Sequence, residues 1–269
     1  MTLIDFLKIL RPLDGLMAGF AVLTGYFVAF GGIAFSEPLL YAVVSVFLFS
    51  GAGIALNDYC DFEMDKVNAP HRPLPSGRIK RKTALYFSVF LFAVAIAMAS
   101  LINVQCFLLA LLNTFLEVFY AFKFKRMPLI GNFVDSWFPA SSFLYGALVI
   151  PALGSVPFLA LLAFLANTGR EIYGDIEDLE GDKKENAKTL PILFGVKTAK
   201  SMANLYIVVA VLLSPLPFFL GFLSINYLLV VAIADIVFIA SLFVNPSKNQ
   251  SLTKTAMILA MLAFLIGVF

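Results

Sequence analysis

Of the 269 residues, 61% are hydrophobic and only 13% are charged, against roughly 45–50% and 25% in a soluble domain. That balance excludes an ordinary water-soluble fold and makes the lipid bilayer the natural solvent. The net charge of +2 conceals segregated cations, and no basic face interleaved with aromatics points to nucleic acid.

The first twelve residues carry Asp5, Lys8 and Arg11. They lack the short apolar core and small-residue cleavage site of a signal peptide, and suit an amphipathic helix lying on the membrane surface. Uncharged runs then set the pattern. Residues 15–36 and 38–57 each match one span. Residues 83–116, 136–169 and 201–234 are each too long for one span. Each contains a turn signal: Asn103-Val104-Gln105, Pro151 to Pro157, and Pro215 to Asn226. Residues 227–244 and 252–269 add two apolar segments. The predicted architecture is all-α, a polytopic membrane bundle of nine transmembrane helices. They lie near 14–35, 38–57, 83–102, 106–122, 132–151, 156–174, 199–221, 225–244 and 252–269. One domain covers 1–269.

In this layout all 19 Lys and Arg fall on one side, at Lys8 and Arg11, 66–82, 123–126, Arg170, 183–200, and Lys248 and Lys254. The opposite connections, near 31–37, 103–105, 151–157 and 222–226, hold none. The positive-inside rule makes the basic side cytoplasmic. The N-terminus then lies inside and Phe269 outside a cell membrane crossed many times. Cys60 and Cys106 fall at opposite faces, which excludes a disulfide between them.

Two acidic segments stand on the cytoplasmic side. Asp58, Asp61, Glu63, Asp65 and Lys66 align with Asp175, Asp178, Glu180, Asp182 and Lys183 in a shared D-x-x-D-x-E-x-D-K pattern. We read this as internal duplication, with halves of about 14–131 and 132–245. Asn57, Asp61 and Asp65 are four apart, so a continuous helix sets them on one face; Asp178 and Asp182 repeat the spacing, with Asp175 a turn earlier. Stacked carboxylates repel one another, and hard cations with oxygen ligands relieve that repulsion. Mg²⁺ in particular is held by a few carboxylates together with substrate phosphates. Nearby Arg72, Arg78, Lys123, Arg126 and Lys188 suit the remaining phosphate charge.

Asn57-Asp58-x-x-Asp61-x-x-x-Asp65, followed by Arg72-Pro73-Leu74-Pro75-Ser76-Gly77, resembles the first signature of the UbiA superfamily of intramembrane prenyltransferases. Asp178-x-x-x-Asp182, followed by Lys188-Thr189 and Leu193-Phe194-Gly195, resembles its second. The nine-helix layout is similar over the whole chain. The resemblance implies Mg²⁺-dependent ionisation of an allylic isoprenoid diphosphate, with the prenyl tail in an apolar chamber under a cytoplasmic cap. It implies that Asp61, Asp65, Asp178 and Asp182 are catalytic metal-site carboxylates and that Asn57 joins them, with Asp175 added by spacing. Arg72, Lys123 and Lys188 are then the diphosphate-binding cations.

Glu117, Asp135 and Asp235 interrupt apolar spans and are functional candidates on that ground; pairing with a neighbouring helix explains them equally well. Arg170 and Glu171 precede the second motif and either pair locally or meet an anionic acceptor. His71 is the only histidine, and a loop position beside Arg72 gives it no defined role. Some of the 29 Phe must line any prenyl chamber, where rings stabilise a developing carbocation.

A transporter also shows repeats and charged spans, but its site lies near the midplane, whereas both acidic clusters sit at one membrane face. A CDP-alcohol phosphatidyltransferase would carry D-G-x-x-A-R, which is absent. Within the favoured family, the run from Gly169 to Asp182 resembles the archaeal ether-lipid branch, as does Arg11-Pro12-Leu13 with Leu16 to Ala21. That resemblance implies geranylgeranyl diphosphate as donor and a lipid-like acceptor, geranylgeranylglyceryl phosphate, with Arg170 and Arg126 as acceptor contacts. An aromatic acceptor, a hydroxybenzoate or quinone precursor, stays open, because both motifs are common to the branches. No protein partner is implied.

Overall fold

The computed structural model describes residues 2–184 and 187–269, and every regular element among them is helical. The chain forms two compact units, Met1–Leu23 with Phe35–Phe124, and Thr24–Ala34 with Lys125–Phe269.

The first unit begins with α1 (Leu3–Leu10) and the opening part of α2 (Pro12–Phe30). Asp5 accepts from the Thr2 backbone N–H and hydroxyl, both at 2.9 Å. The backbone bond, more than any other influence, holds the Asp5 carboxyl below its usual value. Next come α3 (Glu37–Cys60), α4 (Phe62–Asn68), α5 (Arg81–Ser100) and α6 (Val104–Phe122). Local chemistry sets the helix starts. Ser36 Oγ accepts from the Leu39 N–H, and Asn103 Oδ1 accepts from the Cys106 N–H, as N-cap oxygens do for otherwise unpaired amides. The unit is organised around α3, which packs on α1, α5 and α6. Its Gly51-Ala52-Gly53 run and Ala55 are buried, and small residues let helix backbones approach closely. Ser45 Oγ donates to the Ala95 carbonyl at 2.8 Å, and Ser88 Oγ to that of Ala52 at 2.7 Å. These hydroxyls tie α3 to α5 where apolar contact alone is weak glue.

The second unit holds the end of α2, a 3₁₀ turn (Phe124–Arg126, from Lys125 on), α7 (Ile130–Leu148), α8 (Val156–Glu177), α9 (Leu179–Lys184) and α10 (Leu190–Phe194). It continues with α11 (Val196–Leu213), α12 (Leu216–Phe219), α13 (Ile225–Ser241) and α14 (Pro246–Ile266). Here α8 is central, packed on α7, α11 and α14, with Ile172, Tyr173, Ala203 and Ile207 in its core. The approach of α2 to α7 is so close that a Cβ on Gly25 would overlap the Phe143 carbonyl.

Among the described residues, six helices are long and apolar enough to cross a bilayer: α2, α3, α5, α6, α11 with α12, and α14. The apolar α13 is shorter. The nine predicted spans overlap helices, but among the described residues only six reach the length and apolarity of a membrane span, and three details differ. The second helix runs to Cys60 and the sixth to Glu177, beyond the apolar stretches, because the polar motif residues keep helical backbone. The segment 199–221 is not one helix but breaks after Leu213, where Pro215 has no N–H to continue the ladder. Finally, Asn57, Asp61 and Asp65 do not lie on one unbroken helix. Asp61 stands at a junction with φ −86° and ψ 10°, a sparsely used region of backbone space.

Candidate active site

The two acidic motifs sit at two junctions of the same construction. In the first unit α3 ends at Cys60, Asp61 is the joint, and α4 follows. In the second α8 ends at Glu177, Asp178 is the joint with φ −85° and ψ 4°, and α9 follows. Helical hydrogen bonds run through both joints: Asp61 N–H to the Asn57 carbonyl at 2.8 Å and Asp65 N–H to that of Asp61 at 2.8 Å. Their counterparts are Asp178 to Gly174 at 2.9 Å and Asp182 to Asp178 at 3.0 Å. The ladder therefore keeps each series of carboxylates roughly in line despite the joint.

The side chains around the first joint form a buried network. Asp58, Asp61 and Asp65 are all buried. Arg72 donates to both carboxylate oxygens of Asp65, at 2.8 and 2.7 Å, and lies 3.7 Å from Asp58. Arg11 bonds Asp58 at 3.2 Å. Arg78, from the same loop as Arg72, reaches Asp5 of α1 at 3.5 Å. Deeper in the helix, Asn57 Nδ2 donates to Glu117 Oε1 of α6 at 3.0 Å. That bond fixes the amide and leaves Asn57 Oδ1 buried without a hydrogen-bond partner among the described residues. Gly53 makes room for the Glu117 carboxyl, since a Cβ there would stand 2.9 Å from it.

Around the second joint Asp178 is exposed, while Asp175 and Asp182 are half-buried. Asn132 Nδ2 of α7 donates to Asp175 Oδ2 at 2.9 Å, and Asn132 Oδ1 is likewise buried and unpartnered among the described residues. One turn deeper, Asn167 Nδ2 donates to Asp135 at 3.3 Å and Arg170 Nη1 to Asn167 Oδ1 at 3.1 Å, and Arg170 also pairs with Glu171. Gln250 of α14 donates to Glu177 at 3.0 Å. The Lys188 N–H bonds the Arg126 carbonyl at 3.1 Å, which joins those two cationic positions. Lys123, exposed at the end of α6, belongs to the first unit. His71 contributes only its carbonyl, which accepts from Arg78. Asp235 accepts from Ser214 at 2.6 Å, a pairing of neighbouring helices. Neither cysteine is in a disulfide.

Among the described residues, no three His, Cys, Asp or Glu side chains are already gathered around one point suited to a metal. The donor chemistry nevertheless fits a hard cation at the first joint, where a fixed amide oxygen without a partner among the described residues stands one turn before Asp61, with Asp65 a further turn on in α4. Motif spacing does not reveal Arg11, Asp58 as an ion-pair hub, Glu117 as the holder of Asn57, or Asn132 and Asn167. The one available signal was polarity within apolar runs, which marks Glu117 and Asn167.

The model of the UbiA prenyltransferase family matches residues 18–266. Digeranylgeranylglyceryl phosphate synthase of Methanosarcina mazei is 42% identical over 283 residues, covering 98% of each chain. A solved structure concerned with digeranylgeranylglyceryl phosphate synthase in membranes is 35% identical, with a TM-score of 0.83 over 99% of this chain and 98% of that one. A UbiA homologue from Archaeoglobus fulgidus, solved with GPP and Mg²⁺, shares the fold at a TM-score of 0.74 and 20% identity over 98% of each chain. With acidic joints on both central helices and a match along nearly its whole length, the chain belongs to the UbiA prenyltransferase family.

Proposed function

We propose that this multi-pass membrane protein transfers the geranylgeranyl group of geranylgeranyl diphosphate to geranylgeranylglyceryl phosphate, forming digeranylgeranylglyceryl phosphate for archaeal ether lipids. The observation that carries this reading is the likeness, at about 40% identity and nearly full length, to relatives of that name. The whole chain acts as one domain with two related halves and nine spans. The loops after the second, fourth and sixth spans form a cytoplasmic cap.

In this reading Asn57, Asp61, Asp65, Asp175, Asp178 and Asp182 are the residues that hold Mg²⁺. Bound there, Mg²⁺ supplies positive charge against the departing diphosphate. Arg72, Lys123 and Lys188 take further phosphate charge through charge-assisted hydrogen bonds. The apolar helix faces exclude water from the allylic cation, which the acceptor's hydroxyl then captures. Arg126 and Arg170 offer guanidinium groups to the acceptor's own phosphate.

The test is purified protein in lipid nanodiscs with Mg²⁺ and geranylgeranyl diphosphate. Geranylgeranylglyceryl phosphate should yield the doubly prenylated ether by mass spectrometry. EDTA should abolish the product, as should Asp61→Ala or Asp178→Ala. No ether product alongside efficient prenylation of 4-hydroxybenzoate or a naphthoate would overturn the lipid assignment. Turnover at the wild-type rate in either variant, or in EDTA, would overturn the metal assignment.

A further inference from the structure

The second unit carries a polar cluster that the acidic motif does not account for. Asp135 on α7 and Glu171 on α8 belong to one cluster, linked through Asn167 and Arg170. Asn167 donates to Asp135, Arg170 bonds Asn167, and Arg170 pairs with Glu171. Lys125 adds a more distant positive field at Asp135. Two carboxyls thus share one cluster with a guanidinium, between α7 and α8. Such groups are costly inside a membrane unless they are used.

Three features suggest the use. The cluster is reachable, since the Arg170 and Glu171 side chains keep 26% and 24% of their surface accessible. It is also aligned with the acidic joint. Glu171, Asp175, Asp178 and Asp182 are spaced four, three and four apart, along one helix face. Glu171 stands one turn, about 6 Å, before Asp175 on the side of the apolar interior. Lastly, it occurs once. At the offset that superimposes Asp58 on Asp175, the first half has Ala18, Gly53 and Ile54 where the second has Asp135, Arg170 and Glu171. Cation ligands recur in both halves, whereas a group serving the acceptor is needed only once.

Resting on the prenyl-transfer reading above, we propose that the Asp135–Glu171 pair is the proton acceptor for the acceptor's hydroxyl. With the diphosphate at the level of Asp175 to Asp182 and the prenyl chain running into the apolar interior, the bond that breaks lies one turn deeper, level with Glu171. The C1–O bond of the allylic diphosphate breaks and its electron pair leaves with the diphosphate. The hydroxyl oxygen forms the new bond to C1, and its proton passes to the ionised member of the pair. Adjacent carboxyls bind and release protons as a unit, and the proton returns to water when product leaves. Asn167 and Arg170 are positioning residues that hold the two carboxyls together.

The isosteric variants Glu171→Gln and Asp135→Asn test this in nanodiscs with the same donor and acceptor. Each should lower kcat for ether formation about 100-fold or more, the usual weight of a general base. Donor KM should stay within about threefold, because ground-state donor binding is untouched, and the melting temperature should hold. An acceptor analogue with a thiol replacing the hydroxyl, supplied as thiolate at alkaline pH, needs no base and should restore most of the rate relative to wild type. Ether formed at the wild-type rate by both variants overturns the proposal alone. So does a rise in donor KM that accounts for the whole loss, or a failure of the thiolate to rescue either variant. Wild-type protein that makes no ether overturns the lipid reading as well.

Discussion

Arg72 holds Asp65 by both carboxylate oxygens, and a carboxylate locked to a guanidinium is not free to bind a cation. Under the proposed function the two ligands must be exchanged: the donor's phosphates draw Arg72 away and Asp65 turns to Mg²⁺. Arg72→Ala should therefore separate two affinities. Donor affinity should fall about 10- to 100-fold, the weight of one or two hydrogen bonds to a charged group. Mg²⁺ without donor should raise the melting temperature more than it does in wild type, because its competitor for Asp65 is gone. Unchanged donor affinity, or equal stabilisation by Mg²⁺ in both proteins, would rule out the exchange. Arg72 and the acidic residues at the two joints could be picked out in the sequence as candidates, because cation and phosphate chemistry demands particular residue types at helical spacing. Their supports could not. Arg11 and Asp58 are 47 positions apart, Asn57 and Glu117 are 60 apart, and Asn132 and Asp175 are 43 apart. Such pairs follow from helix packing, to which no local pattern points.

At the scale of elements, the proposed function needs α8 held in register, so that its acidic end and Glu171 act together. Gly169 is where that register is set. A Cβ there would stand 2.6 Å from Ile207 Cγ1 and 2.9 Å from the Ala203 carbonyl oxygen, both on α11. The backbone atom cannot step aside, so Gly169→Ala should push the helices apart. Overpacking of this kind costs roughly 1–3 kcal/mol, which is a fall of about 3–10 °C in melting temperature for a chain of this size. Activity should fall with it, since Arg170 and Glu171 move together with the helix. Gly32→Ala is the control, because its nearest neighbour is Phe30 Cδ1 at 3.9 Å. Equal melting temperatures for wild type and Gly169→Ala in detergent would refute the close approach. The helices themselves were legible from uncharged runs and their Pro and Asn breaks. What the runs missed was their polar ends, since Asp58 to Cys60 and Asp175 to Glu177 lie beyond the predicted spans but continue the backbone ladder of α3 and α8. The break after Leu213 was missed for the opposite reason. Its surroundings are apolar, and Pro215 and Pro217 read as part of the turn that follows rather than as a break within the span.

At the scale of the whole molecule, the same arrangement appears in each unit: one central helix, packed on its neighbours, ending in an acidic joint. Proposed sidedness follows from charge. All 19 Lys and Arg lie in segments that nine spans put on one face, and the intervening connections carry none. Moving a single basic residue across a bilayer centre is costly enough that this distribution has one low-energy orientation, with the basic loops and both joints in the cytoplasm. An odd number of spans then sends the C-terminus out. The measurement is cysteine accessibility, after Cys60 and Cys106 are replaced by Ser to give a thiol-free background. In sealed right-side-out vesicles an impermeant maleimide should label Leu153→Cys, between α7 and α8, and Phe269→Cys. Lys188→Cys and Lys125→Cys should stay unlabelled until the vesicles are opened. Labelling of Lys188→Cys in sealed vesicles with protection of Leu153→Cys would invert the topology. Labelling of Leu153→Cys with protection of Phe269→Cys would instead show an even number of spans.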